Sequence, residues 1–112
     1  MKKEIEKITD ETMIRIILKG INKDGQDGQD MSNPQTSFIK SEPISNSSCI
    51  AIYQANVNNA YAYDNEELPD FSKYTYNVFV FDDSVLTIHK NCTEVEARAV
   101  YKECGVKFWL DR

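Results

Sequence analysis

The sequence predicts a single α+β domain over residues 1–112, an antiparallel β-sheet of about five to six strands with one helix of the C-terminal region packed on it. Two observations predict this class. Residues 74–81 and 84–89 are rich in β-branched and aromatic side chains and flank an acidic turn, which is typical of a β-hairpin. Residues 93–104 carry apolar side chains at helical spacing between an N-terminal cap and a glycine.

The N-terminal segment allows two interpretations. Residues 2–9 hold two isoleucines among charged residues, which is compatible with one or two turns of helix. Residues 13–18 are apolar and β-branched, and this predicts a strand. The alternative is one continuous helix over residues 2–19, since periodicity alone does not decide between the two. In that helix four apolar residues share roughly one face: Ile5, Ile8, Met13 and Ile16.

Residues 20–48 are predicted to form a long polar loop. This segment holds three of the four glycines and two of the three prolines, and residues 24–30 repeat Asp-Gly-Gln. A segment of this composition does not supply a core, because glycine and proline favour turns over regular elements. A connection of this length in a small domain is either functional or mobile.

A second hairpin is predicted in the middle of the chain. Residues 49–55 and 60–63 are its strands, and the sequence Asn-Val-Asn-Asn between them is its turn. The two-residue period of a strand puts Tyr61 and Tyr63 on one face. Residues 64–70 then form an acidic loop.

The helix over residues 93–104 has defined ends. Thr93 is the predicted N-cap, Glu96 completes a capping box, and Gly105 ends the helix. Helical spacing turns one set of side chains toward the sheet: Ala97, Val100, Tyr101 and Cys104. It turns another set outward: Glu94, Arg98 and Lys102.

Residues 106–110 are predicted to form the last strand. Strand alternation points Val106, Phe108 and Leu110 into the core. The same alternation leaves Trp109 pointing away from the core, where it is available to a partner.

The charge balance indicates the kind of partner. The chain has 18 acidic and 13 basic residues, with a formal net charge of −5. A surface that contacts phosphates directly is basic, so the balance argues against direct binding of nucleic acid and permits binding to a basic protein surface. No run of about 18 apolar residues and no signal-peptide pattern is present, so we expect a cytoplasmic protein without a membrane partner.

Motifs for metal binding or covalent catalysis are weak. The glycines of residues 24–30 do not fit an EF-hand loop in either register. His89 and Cys92 have the one short spacing that approaches a zinc pair, and Cys92 at a helix start is the candidate for a Cys–His nucleophile. We predict no catalytic residue, no metal site and no cofactor, and we expect Cys49, Cys92 and Cys104 to be free thiols in a reducing compartment.

Aromatic and acidic residues indicate a surface for a protein partner. Tyrosine and tryptophan are preferred anchors of protein interfaces, and this chain has more of them than one small core can hold. The carboxylates of residues 64–70, with Asp82 and Asp83 on their turn, can imitate the phosphates of a nucleic acid. The predicted partner-binding residues are Tyr61, Tyr63, Asp64, Glu66, Glu67, Asp70 and Trp109.

In size and composition the chain resembles the small inhibitors that phages encode against bacterial defences, of the anti-CRISPR type, which are short, acidic and built as one domain with long polar loops. The resemblance implies a non-enzymatic inhibitor that blocks a larger, basic, nucleic-acid-binding protein in the cytosol of a bacterial host.

Two other functions stay open. The run from Cys49 through two-strand units to the capped helix and Gly105-Val-Lys-Phe108 resembles phage tail-terminator proteins, which implies self-association into a structural assembly. Tyrosine side chains can also stack on a nucleotide base, and this implies a protein that sequesters a small nucleotide signal, a nucleotide sponge.

Overall fold

A computed structural model describes residues 3–27, 38–55 and 74–111. Within these ranges the chain forms five strands and two α-helices, which confirms the predicted α+β class. The elements in chain order are β1 (Glu4–Ile8), α1 (Glu11–Asp27), β2 (Phe38–Ser45), β3 (Ser48–Gln54), β4 (Tyr76–Asp82), β5 (Val85–Cys92) and α2 (Glu94–Glu103), followed by a 3-10 turn over Trp109–Asp111. No helix in these ranges is long and apolar enough to cross a membrane.

The five strands form one antiparallel sheet in the order β1-β5-β4-β3-β2. From β2 to β5, each strand pairs with the strand that follows it in the chain. β1 pairs with β5 and forms the edge of the sheet opposite β2. Helix α1 therefore connects the two edge strands across one face of the sheet. Its first half packs through Ile14 against Ile8 and Leu86, and its last turns reach Tyr53 and Ser41 on β3 and β2.

The sheet carries a helix and a core on each face. On one face, Ile14 of α1 packs against Leu86 and Ile88 of the sheet. On the other face, Ala97 and Tyr101 of α2 pack against a larger core that includes Ile50, Ile52 and Val78. A sheet that is apolar on both faces needs two cover layers, which agrees with the partly apolar character of both faces of β4.

The predicted elements of the N-terminus are wrong. Residues 4–8 form a strand rather than a helix, because they pair with β5 in register, Ile5 opposite His89. Residues 13–18 lie within α1 and are helical rather than extended. The Asp10 side chain caps α1 by accepting hydrogen bonds from the backbone N–H groups of Thr12, at 2.9 Å, and Met13, at 3.1 Å. The alternative of one helix over residues 2–19 is also wrong, because its first part is β1.

The predicted loop over residues 20–48 is wrong over most of its length. Helix α1 continues through Gly20 and Gly25 to Asp27, and β2 occupies Phe38–Ser45, while residues 28–37 lie outside the described residues. A Cβ at Gly25 would stand only 3.0 Å from the Ser41 Oγ, so this glycine lets the helix approach β2 closely. Proline is accepted at residue 43 because β2 is an edge strand.

The C-terminal hairpin and helix are confirmed. Glu96 N–H donates to the Thr93 hydroxyl and Thr93 N–H donates to the Glu96 carboxylate, which is the predicted capping box. Gly105 has φ of +71°, a left-handed conformation that suits glycine at this end of the helix. The side chains predicted to face the sheet do so: Ala97, Val100 and Tyr101 are buried and Cys104 packs against the same core.

The predicted last strand over residues 106–110 is wrong. After Gly105 the chain turns back over α2, with the N–H of Val106 donating to the carbonyl of Tyr101 at 3.0 Å, and it ends in the 3-10 turn. Phe108 is buried as expected. Trp109 is half-buried and packs against the core on the α2 face, so the expectation that it points away is also wrong.

Candidate functional site

The two ends of the segment 56–73 meet at one end of the sheet. The backbone N–H of Ala55 donates to the carbonyl of Thr75 at 2.8 Å, and Gln54 pairs with Tyr76 in the β3–β4 ladder. Six of the predicted partner-binding residues fall between these ends and lie outside the described residues: Tyr61, Tyr63, Asp64, Glu66, Glu67 and Asp70. The structure therefore establishes where this segment leaves the sheet and where it returns.

Aromatic side chains make the base of this segment rigid. Tyr76 is completely buried and Tyr74 is nearly so, and their ring centroids are 6.5 Å apart. Tyr76 also meets Phe108 edge-on at 6.1 Å. Burial in this cluster raises the pKa of Tyr76 well above its ordinary value, with a smaller contribution from the negative charge of Glu94. Strand β4 therefore begins within a buried cluster of aromatic side chains.

Trp109 lies beside this base. Its ring centroid is 6.4 Å from that of Tyr76 and 6.2 Å from that of Phe108. The 3-10 turn that carries it is tied to α2, because Arg98 donates to the Asp111 carboxylate at 2.6 Å and lies 4.6 Å over the Phe108 ring. Trp109 is therefore the one predicted partner-binding residue within the described ranges, and it lies beside Tyr76 near the start of β4.

The acidic turn between β4 and β5 lies at the opposite end of the sheet. Asp82 and Asp83 are exposed there, and Asp83 adopts φ of +45°. Tyr76 and Asp82 are the first and last residues of the seven-residue strand β4, so they lie about 20 Å apart along the strand. These two carboxylates are thus separate from the residues that flank the segment 56–73.

A groove of about 450 Å³ lies between β5 and the end of α2, near this acidic turn. His89 and Cys104 lie on its walls, and Lys7 and Glu103 bring charges of both signs to it. The Nδ1 atom of His89 is buried and finds no hydrogen-bond partner in the described parts of the chain. The groove is open to solvent and carries opposite charges, so its chemistry does not select one class of ligand.

Burial shifts the pKa of both residues considered for covalent catalysis, His89 and Cys92, in the direction that favours the neutral form. Burial, and then the positive charge of Lys3, lower the pKa of His89. Burial raises the pKa of Cys92, whose side chain is completely inaccessible. Burial also raises the pKa of Cys49 and of Cys104. This environment opposes the thiolate–imidazolium pair that a cysteine nucleophile needs. Across residues 3–27, 38–55 and 74–111, no three His, Cys, Asp or Glu side chains converge as metal ligands.

An exposed apolar stripe on α1 was not predicted. Met13 is 50% exposed and Ile16 is 66% exposed, while Ile14 and Ile21 are buried. The interpretation of residues 13–18 as a strand hid this stripe. The helical spacing of Ile14, Leu18 and Ile21 was the signal that could have revealed it, because a helix that buries those three must turn Ile16 outward.

Within the described residues, these features define an α+β domain with one five-stranded sheet and a helix on each face, in which Ala55 and Thr75 are hydrogen-bonded on either side of the segment 56–73. No family model, no curated protein and no solved structure matches the chain.

Proposed function

We propose that this protein is a non-enzymatic acidic binding protein that works as an inhibitor. It blocks a larger, basic, nucleic-acid-binding protein in the cytosol of a bacterial host, in the manner of the phage-encoded inhibitors of the anti-CRISPR type that the sequence resembles. The contact surface is the segment 56–73 together with the neighbouring Trp109.

The closed base of the segment is the observation that carries this proposal. The bond between Ala55 and Thr75 anchors both ends of the segment to a five-stranded sheet. Binding residues on connecting segments work best when a rigid scaffold positions them, because fewer degrees of freedom are lost on association. The buried Tyr76 and its aromatic neighbours supply that rigidity.

The charge of the segment supports a basic partner. Residues 56–73 contain four carboxylates and one lysine, and the whole chain is acidic. A partner surface that normally binds phosphates presents lysine and arginine, which attract these carboxylates at long range. Such pairs at the rim of an interface raise the association rate and set the orientation, while tyrosines supply apolar contact area.

Affinity capture with matched variants tests the proposal. The tagged protein is incubated with a bacterial lysate at low and at high salt. We expect it to retain a basic protein at low salt and to lose it as salt rises, since salt screens exposed charges. Neutralising the segment (D64N, E66Q, E67Q and D70N together) should abolish retention. The control variant D82N/D83N removes charge from the opposite end of β4 and should bind normally.

Two results would contradict the proposal. If the variant with the neutralised segment retains the basic protein as well as the wild type does, the carboxylates of the segment are not part of the interface. If salt does not affect retention, the exposed carboxylates do not drive binding to the partner. Nuclease treatment of the lysate excludes capture through nucleic acid.

A second candidate function, a self-assembling structural subunit, is favoured by a different observation. Met13 and Ile16 present exposed apolar surface on α1. Light scattering on the purified protein distinguishes the two functions. A structural subunit forms a ring or a larger assembly, whereas an inhibitor stays small.

A further inference from the structure

Strand β1 has the least cover of the five strands. Of its five residues only Ile8 is buried, and Ile5 is 57% exposed. Within the described ranges it pairs with β5 and with no second strand, because it lies at the edge of the sheet. An element with few buried apolar contacts is among the first to open locally. A small change in free energy is therefore enough to release β1.

The only histidine of the chain lies directly opposite this strand. His89 on β5 pairs with Ile5 of β1 on one side and with Val78 of β4 on the other. Opposite residues of an antiparallel sheet share a face, and Val78 belongs to the core under α2, so His89 also faces α2. Its ring is half-buried, and its Nδ1 atom is buried without a hydrogen-bond partner among the residues that the structure describes.

Two ammonium groups from the N-terminal end of the chain lie on the same side of the sheet as His89. Lys3 and Lys7 stand two residues before and two residues after Ile5, so strand alternation places them diagonally opposite the histidine, one on each side. Lys7 lines the same groove as His89. Burial, and then the charge of Lys3, lower the pKa of His89. A proton on His89 would therefore make three positive charges along one side of the β1–β5 pair.

The carboxylates of α2 offset these charges only in part. Glu103 lines the groove near His89, and its charge raises the pKa of the histidine by less than burial and Lys3 lower it. Glu96 lies 4.0 Å from Lys3 and offsets part of the charge of that ammonium group.

The carboxylates of the β4–β5 turn are more distant. Asp82 and Asp83 line the far part of the groove and are exposed. Asp82 pairs with Val85, which is four residues from His89, a distance of about 13 Å along the strand. Salt screens exposed charges over such a distance, so this turn contributes little to the charge balance at the ring.

We propose that protonation of His89 releases β1 from β5, so that β1 is an acid-sensitive edge of the sheet. The imidazolium carries a proton on each nitrogen, and the buried Nδ1 would hold an N–H group without an acceptor. Release of β1 exposes the ring to water and separates it from Lys3 and Lys7. The stability that neutral His89 contributes is complete above the ordinary histidine pKa of about 6.5 and is lost as pH falls to the lowered value.

Release of β1 changes what the sheet presents. β5 becomes an edge strand, and its unpaired N–H and C=O groups can then receive a strand of another chain. The device does not depend on the proposed inhibitor function, because the segment 56–73 follows β3 and not β5.

Hydrogen exchange of the full chain, followed by mass spectrometry from about pH 7.5 to about pH 5.5, tests the release. Rates are corrected for the intrinsic pH dependence of amide exchange, and the amides of β1 are compared with those of β3. We expect the protection of β1 to fall severalfold as pH drops, while that of β3 stays constant. Uptake of one proton limits the fall to about tenfold per pH unit.

Three variants assign the effect to particular residues. His89→Gln cannot take up a proton and should keep β1 protected at the lower pH. Lys3→Gln with Lys7→Gln keeps the histidine and should reduce the fall. Lys90→Gln is the matched control, because Lys90 lies on the other face of β5 and is 2.6 Å from Glu6. It should weaken β1 by the same factor at every pH. Circular dichroism confirms that the variants fold.

Four results would contradict the proposal. The first is a protection of β1 that does not change with pH in the wild type. The second is an equal fall in His89→Gln, which would assign the effect to other groups. The third is an equal fall in β1 and β3, which would indicate loss of the whole sheet. The fourth is a pKa of His89, measured by NMR, at or above its ordinary value.

Discussion

The hydroxyl of Tyr53 on β3 donates a hydrogen bond of 2.6 Å to the Oδ2 of Asp24, near the C-terminal end of α1. The Tyr53 ring lies between two others, with centroids 5.4 Å from Phe38 and 5.3 Å from Phe79. This contact joins the end of α1 to the side of the sheet opposite β1. It therefore anchors the C-terminal part of α1 to the sheet.

Loss of this bond should destabilise the protein by about 1–2 kcal/mol, since the acceptor is charged and the pair is partly buried. We expect similar losses for Tyr53→Phe and Asp24→Ala, and a double variant that loses little more than either one. Urea denaturation measures the three changes. Additive losses would show that the two side chains stabilise the fold separately.

Stability should fall at alkaline pH. Burial, and then the bond to Asp24, raise the pKa of Tyr53 well above its ordinary value, and burial does the same for Tyr76. The unfolded chain releases these protons above about pH 10 while the folded chain keeps them, so this contribution is complete below that pH and is lost as pH rises. The urea midpoint followed from about pH 9 to about pH 11 measures the loss. Tyr53→Phe should make the fall shallower, and an unchanged slope would contradict the assignment.

The capping box of α2 should contribute measurably to stability. Thr93→Ala removes the hydroxyl that accepts from the N–H of Glu96, at a cost of about 1 kcal/mol, whereas Thr93→Ser keeps an acceptor and should cost less than half as much. Thermal denaturation of the two variants compares these losses. Equal losses would show that the methyl group of Thr93, and not its hydroxyl, is responsible.

Glu96 should give α2 a dependence on acid pH. The hydrogen bond from the backbone N–H of Thr93 is the main cause that lowers the pKa of this carboxylate. Its contribution is therefore present above the ordinary glutamate pKa and is lost as pH falls through the lowered value. Glu96→Gln keeps an acceptor oxygen and should remove this part of the acid titration of stability. A pH profile identical to that of the wild type would contradict the expectation.

Two glycines should respond to alanine with opposite signs. Gly20 is helical with open space around its Cβ position, so Gly20→Ala should stabilise the monomer by about 0.5–1 kcal/mol. Gly105 has φ of +71°, so Gly105→Ala should destabilise it by about 1 kcal/mol. Urea denaturation at low protein concentration compares them. A gain at both positions would contradict the left-handed end of α2.

The three thiols should differ in reactivity. Cys92 is completely buried, whereas Cys49 and Cys104 are half-buried. Because burial raises the pKa of all three, we expect slow alkylation of Cys49 and Cys104 at neutral pH and none of Cys92 until the protein unfolds. Peptide mass spectrometry after alkylation locates the labels. Rapid modification of Cys92 in the folded protein would restore a Cys–His nucleophile as a candidate.

The N-terminal half shows where local sequence is insufficient. The isoleucines of residues 13–18 fit a strand by their branching and a helix by their spacing, so propensity and period disagree. β1 is a strand because Glu4–Ile8 pairs with β5, which lies at the other end of the chain. Nothing local to residues 4–8 indicates that partner, and the pairing itself decides the structure.

The structure describes only one of the seven residues of the predicted partner surface, Trp109. The tyrosines and carboxylates of this surface stay a prediction, because they lie outside the described residues. The position of Trp109 was predicted incorrectly, because strand alternation was applied to residues that form a 3-10 turn. The helical alternative placed Met13 and Ile16 on one face, but their exposure was missed, since it follows from which side of the helix the sheet covers.

The sequence alone determined the C-terminal hairpin, the capped helix and the α+β class, because there the turn residues, the Thr93 cap and Gly105 all act over a few neighbouring positions and agree. Only the tertiary structure decided that residues 4–8 form an edge strand of the sheet and that α1 lies on the face opposite α2. It also decided that Ala55 and Thr75 are hydrogen-bonded to each other. These outcomes depend on hydrogen bonds and apolar contacts between residues far apart in the chain, whose partners no local pattern specifies.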